Sequence, residues 1–153
     1  MRITAALLGE HGVLYGLFAA LEETLPQVED QAEAQRWAGL LGKVLTSHAQ
    51  LENEILFPAV ERQLGPIGPL TVMRMEHEEI EETLGQALQV ETPKEVRRLV
   101  QHVLQVAREH FAKEEHVLFP LADRALDEGT LEDLAYDWAE RRRVAVTEQR
   151  ESS

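Results

Sequence analysis

The sequence predicts an all-α protein: an up-down-up-down antiparallel four-helix bundle with a short additional C-terminal helix. Two observations lead to this fold. Apolar residues recur at spacings of three and four through almost the whole chain, and no stretch alternates polar and apolar residues with the period of a strand. Four long periodic stretches are joined by short segments that contain proline or glycine, and such short connections favour antiparallel neighbours.

The helix boundaries follow from residues that start and stop helices. The predicted helices cover about residues 3–24, 30–63, 69–89, 93–126 and 131–146. Pro26 stops the first helix because proline cannot continue it. Asp30 with Glu33 suits a capping box at the start of the second helix. Pro69, after the LGPIGP turn, is well placed to open the third.

The last two helices have their own signals. Thr92 is the expected cap of the fourth helix, and Pro93 occupies its first position. The DEGT segment ends that helix, and Thr130 is expected to cap the fifth. The fifth helix ends in RRR, so we expect it to cover one flank of the bundle or to mediate an oligomer contact. Trp138 is expected to pack a helix end.

Two prolines interrupt long helices at equivalent places. Pro58 lies inside the second predicted helix and Pro120 inside the fourth. A proline in a helix interior removes a hydrogen bond and clashes with the carbonyl group four residues earlier. We therefore expect both helices to bend or break here, as a shared architectural feature.

The composition restricts the functional classes. The chain of 153 residues is 44% hydrophobic and 28% charged, which is typical of one soluble domain covering residues 1–153. Its net charge of -13 argues against nucleic acid and against an anionic membrane as partners. The absence of cysteine excludes disulfides and thiolate metal sites. The N-terminus resembles neither a signal peptide nor a membrane span, so we expect a cytoplasmic protein.

A repeated motif places polar groups among the apolar stripes. Residues 48–58 read HAQLENEILFP, and residues 110–120 read HFAKEEHVLFP. Glu52 and Glu114 each follow a histidine by four residues, nearly one helical turn, and so lie on the same stripe. Every long helix is predicted to carry one histidine on its core-facing stripe: His11, His48, His77 and His110.

The fourth helix illustrates the predicted stripe. Spacings of three and four lead from Ala107 through His110 and Glu114 to Val117 and Leu121. By the same rule His102 and His116 lie off the stripe, and we expect both at the surface.

Four imidazoles and two carboxylates facing a bundle interior need compensation, because buried charged groups without partners cost several kcal/mol each. A polar network in which His and Glu satisfy one another is one interpretation. We favour a metal site, since imidazoles with bridging carboxylates are the ligands that a pair of cations requires. This ligand set suits six-coordinate iron or manganese better than a structural zinc ion, which stays a further alternative, and it contains too many imidazoles for magnesium or calcium.

The order H…HxxxE…H…HxxxE over four helices, with LFP after the paired motifs, resembles the hemerythrin-like family of HHE cation-binding domains over about residues 5–122. The resemblance implies a four-helix bundle that holds two iron ions joined by an oxo or hydroxo bridge. It implies six metal ligands: His11, His48, Glu52, His77, His110 and Glu114. The two glutamates would be the bridging carboxylates.

The sequence departs from oxygen-carrying hemerythrins at two places. Met73 stands where those proteins have a further histidine, and Glu114 lies one residue before the position of their aspartate. Glu115 has the longer spacing and is a rival of Glu114, but Glu114 repeats Glu52. The pattern is similar to a subtype with four histidines and two glutamates, which does not favour simple oxygen carriage. The missing ligand leaves a position for a small molecule or for a further residue; Glu81 and Tyr15 are candidates as ligands or as hydrogen-bond partners of ligands.

These observations predict a non-haem di-iron protein that binds or reacts with O2, peroxide or NO in the bundle core. A catalase-like or peroxidase-like enzyme is one form of this function. The alternatives are an iron-sensing, oxygen-sensing or iron-buffering module without catalysis, and a purely structural helical bundle. The sequence leaves the oligomeric state open, with a dimer as one option.

Overall fold

The computed structural model describes residues 1–146. Within this range the chain is helical and contains no strand, as predicted. Its helices are α1 (Ile3–Thr24), α2 (Gln31–Leu51), α3 (Phe57–Leu64), α4 (Gly68–Ala87), α5 (Pro93–Lys113), α6 (Phe119–Ala125) and α7 (Glu128–Arg142). A π-helical segment, Glu52–Leu56, joins α2 to α3, and a second, Glu114–Leu118, joins α5 to α6. The four long predicted helices are therefore α1, α2 with α3, α4, and α5 with α6.

The caps explain where the long helices begin. The Asp30 carboxylate accepts a hydrogen bond of 2.8 Å from the Glu33 amide, and the Thr92 hydroxyl accepts one of 3.3 Å from the Glu95 amide. Pro69 lies in the first turn of α4. These predicted helix starts are confirmed, because each cap satisfies an amide that lacks a partner within its helix.

The core consists of two hydrophobic clusters with a polar layer between them. One cluster includes Leu14, Phe18 and Leu45. The other includes Leu7 and Leu51, together with residues of α3, α6 and α7. On α1 and on α2 a histidine lies between these two groups of apolar residues, so the predicted stripes run through the polar layer. The two clusters pack the four long helices together on both sides of this layer.

The prolines account for the two π-helical segments. Pro58 and Pro120 have no amide hydrogen, and their rings oppose the normal hydrogen bond to the residue four positions earlier. Each helix widens by one residue just before its proline: the Phe57 amide donates to the carbonyl of Glu52, and the Phe119 amide donates to that of Glu114. The predicted interruptions are confirmed, and they take the form of a wider turn that starts at each motif glutamate.

The wider turn changes which residues face the core after Glu114. A residue added to one turn rotates the following stripe by about 100°. Val117 is therefore 51% exposed and Leu121 only partly buried, whereas Leu118 and Ala122 are buried. The prediction that Val117 and Leu121 lie on the stripe is wrong, because it assumed an uninterrupted α-helix.

The C-terminal helix starts earlier than predicted. Asp127 is the cap of α7, since its carboxylate accepts a hydrogen bond of 2.8 Å from the Thr130 amide; the predicted role of Thr130 as the cap is wrong. The helix ends at Arg142, before Arg143 adopts a left-handed backbone conformation with φ of 55°. Leu131, Leu134 and neighbouring residues pack α7 against one flank of the bundle, as predicted. Residues 147–153 of the predicted domain lie outside the described residues.

Helix α1 is unusually apolar. With the turn that follows it, the segment Ile3–Gln27 is long and apolar enough to cross a membrane by length and composition, with a mean hydropathy of 1.3 in its most apolar window. In this fold the same segment supplies buried residues to both hydrophobic clusters. Its apolar character is thus what a core helix of the bundle requires.

The register shift after Glu114 can be tested with neighbouring substitutions. Leu118→Ala should lower the free energy of unfolding by about 2–5 kcal/mol, because it leaves a cavity in the core. Val117→Ala should change it by no more than about 0.5 kcal/mol, because that side chain is exposed. Urea denaturation of the two variants gives the comparison, and equal losses would contradict the described register.

Candidate metal centre

Six side chains from the four long helices meet in the polar layer, and we call them the His–Glu centre. They are His11, His48, Glu52, His77, His110 and Glu114. All six are buried, with Glu52 and Glu114 at 0% exposure and no histidine above 8%. Their ligand atoms form two overlapping groups, in each of which every atom lies within 4.8 Å of the others. The structure therefore brings together all six residues that the motif singled out.

The centre has two halves that share the glutamates. In the α1/α2 half, the Nε2 atoms of His11 and His48 face each other at 3.1 Å. In the α4/α5 half, the Nε2 atoms of His77 and His110 face each other at 2.9 Å. Each glutamate belongs to both groups of ligand atoms. The two halves correspond to the two copies of a repeat in the sequence, in which Glu10-His11 recurs as Glu76-His77 and the segment 48–58 recurs as 110–120.

Each carboxylate reaches into both halves. Glu52 Oε1 lies 3.1 Å from His48 Nε2, and Glu52 Oε2 lies 3.1 Å from His77 Nε2. Glu114 Oε2 lies 3.4 Å from His11 Nε2, while its Oε1 contacts His110 Nε2. One oxygen of each glutamate is thus directed to each half, which is the arrangement that a carboxylate bridging two cations needs.

The outer nitrogens of three histidines fix their tautomers. Nδ1 of His11 lies 2.9 Å from Glu115, Nδ1 of His48 lies 2.7 Å from Glu10, and Nδ1 of His77 lies 3.1 Å from the side-chain oxygen of Asn53. Carboxylate and amide oxygens are acceptors, so Nδ1 carries the hydrogen and donates it. In the neutral imidazole Nε2 then offers a lone pair to the centre, as in metal-binding histidines.

Burial and charge determine the protonation of the histidines. Burial lowers the pKa of His11, and it lowers the pKa of His110 to about 3. Burial also acts to lower the pKa of His48, but the charge of Glu52 and a hydrogen bond to Glu10 outweigh it and raise the pKa to about 9. The raised pKa of His48 indicates that the carboxylates of the centre favour a positive charge next to them.

The pKa values of the two buried carboxylates shift in opposite directions, although both groups lie in the same environment. Burial and the neighbouring charge of Glu52 raise the pKa of Glu114 well above its usual value. Burial acts in the same direction on Glu52, but the charge of His48 and close contacts with Glu114 and His77 lower its pKa well below the usual value. Two carboxylates this close do not ionise independently without a cation between them.

The donor set fits a pair of metal ions. Within residues 1–146, none of the four oxygens of Glu52 and Glu114 has a hydrogen-bond partner, although each residue is fully buried. Unpaired buried polar atoms are costly. Imidazole nitrogens and carboxylate oxygens that converge without donors are suitable ligands for transition-metal cations. Cations would satisfy the atoms that the protein itself leaves unpaired.

A polar cluster behind the α1/α2 half holds its histidines in place. Glu10 accepts hydrogen bonds from the Trp138 indole at 2.8 Å and from the Arg142 guanidinium at 2.5 and 2.9 Å, in addition to its contact with His48. Burial would raise the pKa of Glu10, but these hydrogen bonds lower it to about 2. Helix α7 therefore supports His48 through one ionised carboxylate.

The partners of His11 form a second chain of contacts. Glu115 accepts a hydrogen bond of 2.6 Å from the Tyr15 hydroxyl as well as one from His11. Burial and the hydrogen bond to Glu115 raise the pKa of Tyr15 above its usual range, so the phenol keeps its proton. Both histidines of the α1/α2 half thus donate to carboxylates.

In the α4/α5 half, the Nδ1 atoms of the histidines have weaker hydrogen-bond partners. His77 donates to the neutral amide of Asn53, which occupies the repeat position of Glu115. Glu76 occupies the repeat position of Glu10, but it lies 3.8 Å from Nδ1 of His110 and instead accepts hydrogen bonds of 2.6 and 2.7 Å from Lys113. The centre is therefore symmetric in its inner residues and asymmetric in the residues around them.

The remaining candidate residues lie outside the six. Tyr15 and Glu115 contact His11 from behind, and Glu81 is exposed at the surface end of a small cavity beside His77. His116 is exposed, and His102 is about half exposed and pairs with Glu79 at 3.1 Å.

Sequence reasoning missed several supporting residues. Trp138 and Arg142 contact Glu10, so the prediction that Trp138 only packs a helix end is incomplete. The repeated dipeptides Glu10-His11 and Glu76-His77 were a usable signal for the two acidic partners, because each glutamate precedes a motif histidine. For Arg142 there was no signal, since its role depends on how α7 docks.

The comparisons with known proteins agree with this geometry. The family model described as the hemerythrin HHE cation binding domain matches residues 2–122. The match contains all six residues of the His–Glu centre and ends before α7 begins. No curated protein and no solved structure matches the chain.

The contact between α7 and Glu10 predicts a difference between two adjacent arginines. Arg142→Met should lower the free energy of unfolding by about 1–3 kcal/mol, because it removes charged donors from a largely buried carboxylate. Arg141→Met is the matched control: Arg141 pairs with Glu54 at 2.7 Å in an exposed position, and such pairs contribute about 0–1 kcal/mol. Denaturant unfolding of both variants measures the difference, and an equal or reversed ranking would contradict it.

Proposed function

The chain belongs to the hemerythrin HHE cation-binding domain family, and on this basis we propose that it holds two iron ions in the His–Glu centre, where they meet a small molecule such as O2, peroxide or NO. The observation that carries the proposal is the pair of glutamates with one oxygen directed to each half of the centre. Two carboxylates in this arrangement have four oxygens for two cations, and two histidine nitrogens complete each group.

The choice of iron rests on the chemistry of the ligands. The centre offers imidazole nitrogen and carboxylate oxygen without thiolate. A mixed set of this kind favours iron or manganese with six ligands over a structural zinc ion, which prefers four. Manganese and zinc remain alternatives that metal analysis distinguishes. A pair of bound iron ions supplies the redox and Lewis-acid chemistry for a reaction with oxygen species.

The protein residues contribute position and shielding. The Nδ1 hydrogen bonds of His11, His48 and His77 orient their rings and increase their basicity as ligands. The two hydrophobic clusters above and below the centre exclude bulk water and strengthen electrostatic interactions inside it. The chain thereby supports a reactive metal pair in a dry interior. Only small molecules can reach this interior.

A purely structural bundle accounts poorly for the centre. Such a bundle gains nothing from burying Glu52 and Glu114 without hydrogen-bond donors, and replacing buried ionic groups by apolar residues often stabilises a protein. Binding and catalysis both remain compatible with the geometry. We propose binding of the small molecule as the common step, with peroxide decomposition as the enzymatic form.

Metal content tests the first part of the proposal. Protein reconstituted with ferrous iron without oxygen should hold about two ions per chain, the number that two-metal sites require. His48→Ala and Glu52→Ala should lose most of this metal because each removes a ligand. His116→Ala is the control and should keep it, since His116 is exposed. Full iron content in the Glu52 variant, measured by elemental analysis, would count against the assigned ligands.

The reactivity of the loaded protein tests the second part. Addition of O2 or NO to the reduced, iron-loaded protein should change its absorbance spectrum, and the metal-free protein should show no change. Reversal on removal of oxygen supports carriage or sensing, and gas evolution from added peroxide supports an enzyme. A loaded protein that responds to none of the three molecules refutes the proposed reactivity while leaving metal binding intact.

A further inference from the structure

An open groove lies on the surface between α1, α2 and α7, outside the His–Glu centre. Its volume is about 640 Å³. Glu10 and His48 line it, so the groove reaches the outer side of the α1/α2 half. Small or apolar residues form most of its wall: Ala5, Ala6, Gly9, Val13, Val44 and Trp138.

The equivalent face of the α4/α5 half is polar. Glu79 and His102 lie 66 and 62 residues after Val13 and Leu40 in the repeat. The side chains of Glu79 and His102 pair with each other at 3.1 Å. At the same two positions of the α1/α2 half the side chains are apolar, and Val13 is 77% and Leu40 43% exposed. Exposed apolar surface that is contiguous is typical of a place where a partner or a ligand binds.

Gly9 provides the depth of the groove. It is exposed. Apart from adjacent residues and the helix backbone, no atom of residues 1–146 lies within 4 Å of the place that a Cβ atom would take. Met75 occupies the equivalent position in the α4/α5 half and is 62% exposed. A long apolar side chain thus stands in one half where the other half leaves space for a ligand.

Positive charge borders the apolar wall, because Lys43 and Arg142 also line the groove. The Arg142 guanidinium donates to Glu10 at 2.5 and 2.9 Å and to the hydroxyl group of Ser47 at 2.5 Å. Lys43 is exposed, and its ammonium group forms no ion pair with any residue in the range 1–146. Lys43 is therefore the cation that remains for an anionic group of a ligand.

We propose that the groove binds a free single-chain alkyl carboxylate, the chemical class of the fatty acids. The alkyl chain lies along Ala5, Gly9 and Val13, and the carboxylate pairs with Lys43. This ligand differs from the small molecule that meets the metal pair, and its binding does not require iron. The inference thus goes beyond the proposed function.

The dimensions of the groove fit this class of ligand. Pockets for organic ligands usually have volumes of about 300–1,000 Å³, a range that includes the volume of the groove. The stretch from Ala5 to Val13 covers about 12 Å at 1.5 Å per residue, which suits an extended chain. Each methylene group that leaves water raises the affinity by up to about fourfold. We therefore expect the affinity to rise from hexanoate through octanoate to decanoate.

Two other occupants fit the groove less well. Self-association about a two-fold axis would place the groove opposite its own copy, and two concave surfaces do not fill each other. The net charge of -13 disfavours an anionic membrane, and a flat bilayer does not enter a groove. A flexible single chain with one negative charge can both cover the apolar wall and pair with Lys43.

Two glycines of α1 test the position of the ligand. Gly9→Leu places a side chain in the groove and should weaken decanoate binding by at least about tenfold, which corresponds to 1.4 kcal/mol. Gly12→Leu is the matched control and should bind decanoate like the unsubstituted protein, because Gly12 is exposed, has open space around it and does not line the groove. Calorimetric titration of the full chain as purified, below the concentration at which decanoate forms micelles, measures the affinities.

Equal decanoate affinities of Gly9→Leu and the unsubstituted protein would overturn the proposal, as would the absence of decanoate binding. Should Gly9→Leu not fold, Val13→Glu decides, because it introduces a charged residue on the exposed wall of the groove. Its control is Leu8→Glu, which adds the same charge at an exposed position of α1 outside the groove. Decanoate affinity should fall for Val13→Glu alone, and equal affinities of these two variants would contradict the assigned position.

Lys43→Met tests the chemical class of the ligand. It should weaken decanoate binding by about twofold to fivefold, the range for a partly exposed ion pair. Binding of decanol, the neutral alcohol with the same chain length, should stay unchanged. An equal change for both ligands would overturn the pairing of the carboxylate with Lys43.

Light scattering and vesicle binding test the other two occupants. A dimer that Gly9→Leu converts into a monomer, in a protein that does not bind decanoate, would make the groove an interface between copies and overturn the proposal. Association with anionic phospholipid vesicles that Gly9→Leu abolishes would overturn the free ligand in the same way. Decanoate binding by a protein whose oligomeric state is the same in Gly9→Leu, and which does not associate with vesicles, supports it.

Discussion

The structure depends on a convergence of hydrogen-bond acceptors in a dry interior. Glu52 and Glu114 bury four carboxylate oxygens without a hydrogen-bond partner, and the Nε2 atoms of the surrounding histidines point to the same place. A protein cannot bury such a set at low cost without positive charge. The apolar clusters on both sides, the oriented imidazoles and the family membership all become consistent once cations occupy the position between these atoms.

The two proline-induced wider turns have an effect beyond local geometry. Both begin at a motif glutamate, Glu52 or Glu114, and both precede a short helix that rejoins the core. The wider turn lets the glutamate keep its direction towards the centre while the following residues rotate to a new core face.

Much of the inner centre could be predicted because helical periodicity and an internal repeat act together. His48 and Glu52 lie one turn apart on a stripe that other apolar residues define, so their direction follows from local geometry. The exposed position of Val117 could not be predicted in this way, since it depends on hydrogen bonds that skip one residue. The contact of Arg142 with Glu10 depends on the docking of α7 against α1, for which a linear pattern contains no information.

The hydrogen bonds from α7 to Glu10 also have a consequence for the order in which the protein forms during synthesis. Trp138 and Arg142 lie beyond residue 122, where the family match ends, yet they fix the carboxylate that orients His48. Because a chain emerges from the ribosome starting at its N-terminus, the four helices that carry the His–Glu centre are synthesised before these contacts can form. The α1/α2 half therefore gains these contacts only after α7 has been synthesised, and a product truncated before Trp138 lacks them.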